Sequence, residues 1–527
     1  MIRRLLLFYH TIKYLKFKQI YYRVYYKLCQ FLGLDKKYNA LLSPSKIKGS
    51  QKIILKNFIL SHTSYENNHS FSFLNQRHDF QDKIDWNWNG FGKLWTYNLN
   101  YFDFLMQANF QRETGFQLML NFINQYQYIQ DGHEAYPTSL RIINWIKFIS
   151  QHNIESEIID RSLFTDLTRL QKNIEYHIMG NHLLENGFSL LFGAFYFKDT
   201  QMLSKAESIL KLELNEQVLN DGAHFELSPM YHQILLVKVL DCINLLSNNE
   251  FEGRSSILKL LKGKSRVMLG WLQNVTFSNG DIPHVNDSTY GISPSTEEIE
   301  VYAKKLSVEP INIELKECGY RMISKNGNEI FMDVGNIGPD YIPGHAHSDT
   351  LNFIFYHQGI PIIVDTGIST YEKNEKRQFE RSTCAHNTVM INDREQSEIW
   401  GGFRVAKRAK GIILEETENT LIATHTGYDD LGIAHKRSFT FLDDAIRIHD
   451  GINSLSCATF YLHFHPNFSI TIDDNTIKST FGMIEIKGAN SIESDEYLYS
   501  SGFNKSMPAV VVIIGFKQNL EITILPV

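Results

Sequence analysis

Two histidines one residue apart, His345 and His347, are followed along the chain by Asp365 and His386. Side chains on an extended strand alternate between its two faces, so this spacing predicts that both histidines point the same way. Two imidazoles and a carboxylate are donors that suit zinc or a similar divalent ion. We therefore predict that His347, Asp365 and His386 bind a divalent metal, most simply zinc, and that His345 is free for chemistry beside it.

A second group of polar residues lies earlier in the chain. His182 and Glu185 are three residues apart and share one face of a predicted helix, although a surface pair without a chemical role is the simpler interpretation of these two alone. Ser228 and Pro229 predict the N-cap and first residue of another helix, which places Tyr231 in its first turn. A phenol there can project into a cleft or simply pack.

Aromatic rings alternate with amides at Trp86, Trp88, Trp95, Tyr97 and Asn98. Sugar rings stack on flat aromatic faces while amides bond hydroxyl groups, so this pattern is typical of a carbohydrate site. The core of a helical domain uses the same aromatic residues, and the pattern alone does not separate the two interpretations.

Composition bounds the class of protein. A chain of 527 residues exceeds what one core usually organises, so two domains are expected. The formal charge is 52 − 58 = −6, which argues against a general nucleic-acid binder but allows a locally basic cleft for an anionic substrate. The five cysteines are scattered and odd in number, so we expect no disulfide framework.

Residues 1–60 form a predicted N-terminal arm. Between residues 3 and 27 every charge is positive, and tyrosines and phenylalanines lie between the charges. Such a helix can rest on an anionic membrane, or the arm can pack its aromatic side chains on the protein body. The apolar run at residues 5–8 is too short for a secretory signal, so the expected location is cytoplasmic or peripheral to a membrane and is otherwise open.

The hydrophobic period changes once along the chain. From about residue 94 to 272 apolar residues recur at spacings of three and four, and from about residue 320 short apolar runs are separated by Gly, Asn and Asp turns. The first pattern predicts helices and the second predicts strands. We therefore predict a helical domain at residues 61–305 and an antiparallel β-domain at residues 306–527.

The order of these motifs resembles a known family. The residues that carry the resemblance are Trp95 to Leu99, Tyr136-Pro137 with Arg141 and Asn144-Trp145, Asn181-His182 to Gly187, Ser228 to His232, His345 to Asp349, Asp365 to Gly367, and His386 to Thr388. In this order they are similar to the heparinase II/III family of polysaccharide lyases. The resemblance implies a multidomain α+β protein with an incomplete (α/α) toroid, a C-terminal antiparallel β-sandwich and a cleft between them.

The resemblance also implies β-elimination on a uronic-acid polysaccharide. The C5 carboxylate must be neutralised, the C5 proton removed and the departing O4 protonated. Asn181 or His182 would face the carboxylate, with a protonated Glu185 as a helper, and the motif does not decide between the first two. Tyr231 would act as base and acid on one face of the sugar, although its phenol must first become more acidic, and His345 would act as base on the other face.

The metal, by the same resemblance, is structural and holds the loop of His345. The resemblance also implies an acidic polysaccharide or oligosaccharide as the partner and a periplasmic location. Arg377 and Arg408 are expected to be surface arginines without a partner. The residues expected to bind substrate are Trp95, Tyr97, Asn98, Arg141, Asn144, Arg381 and Arg404.

Two other functions fit parts of the sequence. A cupin-type oxygenase also uses a His-x-His pair with a later carboxylate and histidine, but it does not need the helical half or Tyr231. A non-catalytic or editing glycan-binding protein of surface polysaccharide biosynthesis would keep the cleft. The appearance of unsaturated uronides from a polysaccharide would distinguish a lyase from the oxygenase and from the glycan-binding protein.

Overall fold

The computed structural model describes residues 2–33, 40–43 and 49–527. Within these residues helices dominate up to residue 305 and strands from residue 320, as the change in hydrophobic period predicts. The helices are α1 (Ile2–Ile12), α2 (Phe17–Phe31), α3 (Lys93–Tyr101), α4 (Arg112–Asn124), α5 (Ala135–Gln151), α6 (Glu157–Lys172), α7 (Gly180–Phe197), α8 (Thr200–Gln217), α9 (Pro229–Asn248), α10 (Arg254–Val275), α11 (Thr296–Lys305) and α12 (Glu375–Glu380).

The helical domain is built around α7. Apolar residues surround this helix on all sides and almost all of it is buried, which is the pattern of a central helix rather than a surface one. Helices α5, α6, α8 and α9 pack against it. The first turn of α7 therefore has a fixed position at one end of the helical layer.

The strands before residue 80 form a small hairpin that the hydrophobic pattern does not predict. Its Phe71 and Phe73 are buried in the helical core, where Phe73 meets the edge of Trp95. The strands are β1 (Ser70–Phe73), β2 (Gln76–Asp79), β3 (Tyr320–Lys325), β4 (Asn328–Asp333), β5 (Phe353–His357), β6 (Ile360–Ile363), β7 (Val389–Ile391), β8 (Ile399–Trp400), β9 (Arg404–Val405), β10 (Gly411–Glu416), β11 (Thr420–His425), β12 (His435–Phe441), β13 (Ile446–Ile452), β14 (Ala458–His463), β15 (Thr471–Asp473), β16 (Thr476–Ser479), β17 (Gly482–Gly502) and β18 (Lys505–Pro526).

The β-domain consists of two main antiparallel sheets. One has the order β3-β4-β5-β6, and the other has the order β10-β11-β12-β13-β18-β17-β16-β15 with β14 and β7 attached through β18. Ile330 and Met332 of the small sheet share a core with Ile448 and Ile522 of the large sheet. The two sheets therefore pack face to face as a sandwich, as predicted.

Strand β4 joins this sandwich to the helices. All six of its residues are buried, because alternate side chains face opposite layers. Ile330 and Met332 point into the sandwich, whereas Phe331 belongs to the core that it shares with the helical domain. The small sheet thus lies between the helices and the large sheet, and its loops are held against the first turns of α7 and α9.

The N-terminal arm packs against both halves of the protein. The Gln19 amide of α2 donates to the carbonyl oxygens of Ile178 and Tyr341 at 3.0 and 3.3 Å. In α1, the Thr11 hydroxyl accepts from the indole of Trp400 at 3.1 Å. Among the described residues, no helix combines the length and apolar character needed to cross a membrane.

Candidate active site and metal centre

Three segments that are far apart in the sequence meet in one cleft. They are the first turn of α7, the first turn of α9 and the loop at residues 344–349. His345 and His347 lie in this loop rather than on a strand, so the prediction that they share a strand face is wrong. They converge for another reason, because both rings hydrogen-bond the carboxylate of Asp287, at 2.9 and 3.0 Å.

The start of α7 presents Asn181 to the cleft. Gly180 has a φ of +59°, and a Cβ there would lie 2.4 Å from Oε1 of Glu226. Glycine therefore permits the close approach in which Glu226 accepts from the Asn181 backbone N at 3.0 Å and from its Nδ2 at 2.7 Å. The same Nδ2 lies 3.5 Å from Nε2 of His345.

Tyr231 lies in the first turn of α9, as predicted. Ser228 is the N-cap, and its hydroxyl accepts from the Tyr231 backbone N at 3.3 Å. The Tyr231 ring lies 4.0 Å from the His345 ring, and its hydroxyl is 3.3 Å from that of Tyr371. Burial raises the pKa of Tyr231, so the phenol keeps its proton in the free protein.

Asp287 links the helical domain to the β-domain. Its carboxylate accepts from the two loop histidines and from both terminal nitrogens of Arg377, at 2.5 and 2.7 Å. Burial alone would raise the pKa of Asp287, but the guanidinium and the two imidazoles hold it well below its usual range. Arg377 is 1% exposed, so the expectation of an unpaired surface arginine is wrong.

His182 differs from Asn181 in its exposure. Its side chain is 30% exposed, its Nδ1 is 3.0 Å from the Glu175 carboxylate, and its ring lies 4.4 Å from that of Tyr136 at a tilt. Burial opposes protonation of His182, but Glu175 outweighs it and raises the pKa of the imidazole. His182 can therefore offer a positive charge to an anion in the cleft.

Glu185 is fully buried one turn after His182. Neither of its carboxyl oxygens has a hydrogen-bond partner within the described chain. Burial raises the pKa of Glu185 to about 7, although nearby Lys238 opposes the shift. The carboxyl group is thus largely protonated at mildly acidic pH, as a helper in carboxylate neutralisation requires.

The buried atoms next to His345 fit a divalent metal. His347 Nδ1, Asp349 Oδ2 and His386 Nε2 lack hydrogen-bond partners in the described part of the chain. One ligand atom from each of these residues lies within 4.8 Å of the others. Three buried donors that face one another without partners are the arrangement expected of a metal site.

Asp365 has a different place from the predicted one. Its Oδ2 accepts from His386 Nδ1 at 2.7 Å and from Asn352 at 2.8 Å. Asp365 therefore orients His386 from behind, leaving Nε2 of that histidine toward the metal position. Asp349, rather than Asp365, offers the carboxylate that could hold a metal ion together with His347 and His386.

Four of the residues expected to bind substrate are enclosed by the protein. Their side chains are buried, and the protein itself occupies their hydrogen-bonding groups. Trp95 donates to the Gln76 carbonyl, Arg141 pairs with Asp166, Asn144 donates to the Tyr101 carbonyl, and Arg381 donates to the carbonyls of Ala346 and Gly402. The structure thus contradicts direct contact of these four side chains with a ligand, because the protein encloses them.

Three other predicted residues are more accessible. Tyr97 is half-buried and donates to Glu134, and Asn98 is half-buried and donates to the Leu94 carbonyl at 2.8 Å. Arg404 is exposed, with its guanidinium 4.6 Å from the centre of the Trp400 ring. Substrate binding by these three residues stays a prediction.

Several residues of the cleft were missed from the sequence. Glu226, Asp287 and Tyr371 lie outside the motifs that were singled out, and their partners are more than 40 residues away. Asp349 was within the His345 motif and had a detectable signal, because an acidic residue two positions after His347 is an available ligand.

Comparisons with known proteins agree with this arrangement. Residues 138–315 match the family model of the heparinase II/III N-terminus, and residues 310–523 match that of the heparinase II/III-like C-terminal domain. A heparin-sulfate lyase of Bacteroides stercoris is 26% identical over 295 residues, which are 51% of this chain and 43% of that relative. The match thus spans less than half the length of that relative.

Two further proteins are similar to this chain, one in part of its sequence and the other in its fold. An alginate lyase of Stenotrophomonas maltophilia is 30% identical over 112 residues, which are 19% of this chain and 15% of that relative. A solved heparinase III superposes with a TM-score of 0.65 at 14% identity, covering 94% of this chain and 89% of that one. This likeness confirms the predicted toroid and β-sandwich and contradicts a cupin-type oxygenase. From the two domain matches and the shared fold it follows that the chain belongs to the heparinase II/III family.

Proposed function

We propose that this protein is a polysaccharide lyase that cleaves an acidic, uronate-containing polysaccharide by β-elimination. The observation that carries the proposal is the meeting of Tyr231, His345 and Asn181 across the two domains. The Tyr231 and His345 rings are 4.0 Å apart, and Asn181 Nδ2 lies 3.5 Å from His345 Nε2. The Tyr231 and His345 rings are therefore close enough to act on the same uronate residue.

His345 is suited to remove the C5 proton. Its Nδ1 faces Asp287 Oδ2 at 2.9 Å, which fixes the ring, and its Nε2 lies 3.5 Å from Asn181 Nδ2 and 3.4 Å from Glu226 Oε2. A carboxylate behind an imidazole stabilises the imidazolium that forms when Nε2 takes a proton. His345 is therefore the base for uronates whose C5 hydrogen points toward the loop at residues 344–349.

Tyr231 is suited to protonate O4. Its pKa is raised, so the phenol enters the reaction with its proton. As the C5–H bond breaks, its electrons form the C4–C5 double bond, the C4–O4 bond breaks, and Tyr231 gives its proton to the departing oxygen. For the other C5 epimer Tyr231 would also have to act as the base, which requires its phenolate.

His182 and Asn181 divide the task of neutralising the C5 carboxylate. The raised pKa and 30% exposure of His182 support it as the positive charge, whereas Asn181 is nearly buried and already bonded to Glu226. Glu185, with its pKa near 7, would stand behind them as a neutral carboxyl group. These observations support His182 as the neighbour that faces the substrate charge.

His347, Asp349 and His386 would hold a divalent ion, and zinc suits two imidazoles and one carboxylate. When bound, the ion would crosslink the loop at residues 344–349 to the loop that carries His386. It would thus fix the backbone next to His345.

The names of the relatives support the substrate class. The curated relatives are a heparin-sulfate lyase and an alginate lyase, and both names refer to anionic polysaccharides. A cleft with His182 and Lys238 is compatible with such a substrate. A lyase assay over a panel of polysaccharides identifies the particular substrate.

The test is a lyase assay with a matched inactive variant. Purified protein is incubated with a panel of heparan sulfates, alginates and other uronate polysaccharides, and the absorbance of new unsaturated uronides is followed. We expect activity on at least one substrate, and a loss of turnover of about 10²–10⁴-fold in Tyr231→Phe, which removes only the transferable proton.

Tyr128→Phe is the control, because Tyr128 is 66% exposed on the surface of the helical domain. Binding of the substrate by Tyr231→Phe is measured separately and should persist. Binding without unsaturated products on any substrate would favour the non-catalytic glycan-binding alternative. Full activity in Tyr231→Phe would remove this residue from the mechanism.

A further inference from the structure

The first two helices carry an apolar surface that the described part of the protein does not cover. On α2 the exposed residues recur at spacings of three and four, which is one continuous stripe of a helix. We call this surface the N-terminal face. Its residues are Leu5, Tyr9 and Ile12 on α1, and Phe17, Ile20, Tyr21, Val24, Tyr25, Leu28, Phe31 and Leu32 on and directly after α2.

The opposite side of α2 holds it to the protein. Besides Gln19, the Arg23 side chain donates to the His177 carbonyl at 3.2 Å and the Tyr26 hydroxyl donates to the Ile174 carbonyl at 2.6 Å. The helix thus uses polar groups to bind the protein and turns its apolar stripe outward, which reverses the usual pattern of a surface helix. Phe17 is 82% and Phe31 is 87% exposed. An uncovered apolar stripe of this length marks an interaction surface.

The charges around the N-terminal face indicate what binds there. The chain contains seven basic residues and no acidic residue before Asp35, although its overall charge is −6. Arg4, Lys13 and Lys27 are exposed beside the apolar stripe. If the N-terminal faces of two copies of the chain packed together, basic residues of one copy would lie against basic residues of the other. Their repulsion opposes self-association.

We propose that the N-terminal face binds the surface of an anionic lipid bilayer. Aromatic and aliphatic side chains would enter the boundary between headgroups and acyl chains, and the flanking lysines and arginines would meet lipid phosphates. The helices would lie in the membrane plane without crossing it. This inference is independent of the proposed lyase chemistry.

The contacts of α2 give the docked protein a fixed orientation. Gln19 bonds the carbonyls of Ile178 and Tyr341, which lie shortly before Asn181 and His345 in the sequence. The membrane-facing helix is therefore tied to both segments that form the cleft. A polysaccharide attached to or emerging from the same membrane would be held within reach of the cleft.

The test is cosedimentation of the full chain with vesicles. We expect binding to phosphatidylcholine vesicles that contain phosphatidylserine, weaker binding as salt is added, and little binding to pure phosphatidylcholine. Phe17→Ser with Phe31→Ser, and separately Lys13→Glu with Lys27→Glu, should each lower the partition coefficient by roughly tenfold or more. Circular dichroism should show that both double variants remain folded.

Matched controls lie elsewhere on the surface. Leu414→Ser with Leu455→Ser removes two leucines that are 55% and 70% exposed, and Lys436→Glu with Lys517→Glu reverses two exposed charges of the β-domain. Both controls should bind vesicles like the unaltered chain. Absence of vesicle binding would overturn the proposal, as would equal binding to neutral vesicles. A different outcome is an unaltered protein that forms a concentration-dependent dimer without binding vesicles. If Phe17→Ser with Phe31→Ser abolishes that dimer, the N-terminal face is a protein interface.

Discussion

At the residue scale, the cleft depends on carboxyl groups in two opposite electrostatic states. Asp287 is buried but is kept ionised by Arg377 and the two loop histidines. Glu185 is equally buried and has no partner of this kind among the described residues, so its pKa is raised to about 7. The difference follows from the charge of Arg377 and the hydrogen bonds to Asp287 and not from depth, because both side chains are inaccessible to solvent.

Glu185→Gln should therefore change how stability depends on pH. The folded-state pKa of Glu185 is raised from its usual 4.5 to about 7, so its protonated form contributes stability that is fully present below pH 4.5 and is lost as the pH rises through 7. Glutamine keeps the neutral shape without this loss. The shift corresponds to roughly 3 kcal/mol, so the variant should become the more stable protein between about pH 5 and 8.

Urea unfolding of both proteins across this pH range measures the effect. Glu297→Gln is the matched control, because Glu297 lies on helix α11 of the same domain but is exposed. Parallel pH profiles for Glu185→Gln and the unaltered chain would show that Glu185 ionises at its ordinary pKa. The neighbours Lys238, Asp103, His182 and Asp241 are unchanged in the comparison.

At the element scale, two loops of the β-domain carry the three residues that would hold the proposed metal. His347 and Asp349 lie in a loop without regular structure, and His386 follows a short helical turn. Three buried polar atoms without partners would be costly in the absence of a ligand. The expected content is about one zinc or similar ion per chain, as for a single site.

His347→Ala should lose the ion and lower the melting temperature, because it removes one of three donors. Asp365→Asn should retain the ion with weaker affinity, since Asp365 contacts His386 from behind. Elemental analysis and thermal unfolding measure both effects without relying on activity. His425→Ala, at another buried histidine of the β-domain, should leave the metal content unchanged. A native protein that is free of metal and fully stable would refute the site.

The helical and β-rich halves were accessible from the sequence, but the β1-β2 hairpin, the loop of His345 and most contacts between elements were not. Helical periodicity and the Ser228-Pro229 signal are local, and they placed Tyr231 correctly in the first turn of α9. Asp287 lies 58 residues from His345 and 90 from Arg377, and no local pattern links these positions. The sequence also did not show which of these residues are buried. Trp95 and Arg141 have residue types that suit either a sugar-binding site or a hydrogen-bonded core.

At the scale of the whole molecule, an acidic chain must bind an anionic polymer through local positive charge. The net charge is −6, while His182 with its raised pKa and Lys238 lie in the helical half of the site. The small β-sheet is buried between the helices and the large sheet, so the two halves of the cleft are held together by a shared core. The positive groups therefore keep their positions relative to Tyr231 and His345.

Substrate affinity should weaken as salt is added. The Debye length is about 10 Å at roughly 0.1 M salt, so charges farther than this from the polymer are screened while direct contacts persist. KM should rise with ionic strength and kcat should change little.

Arg404→Ala should likewise raise KM more than it lowers kcat, because it removes binding that the ground and transition states share. Arg447→Ala, on the exposed face of β13, is the control. If KM is independent of salt and Arg404→Ala binds normally, recognition rests on neutral groups such as Tyr97 and Asn98, and the substrate is a glycan of low charge.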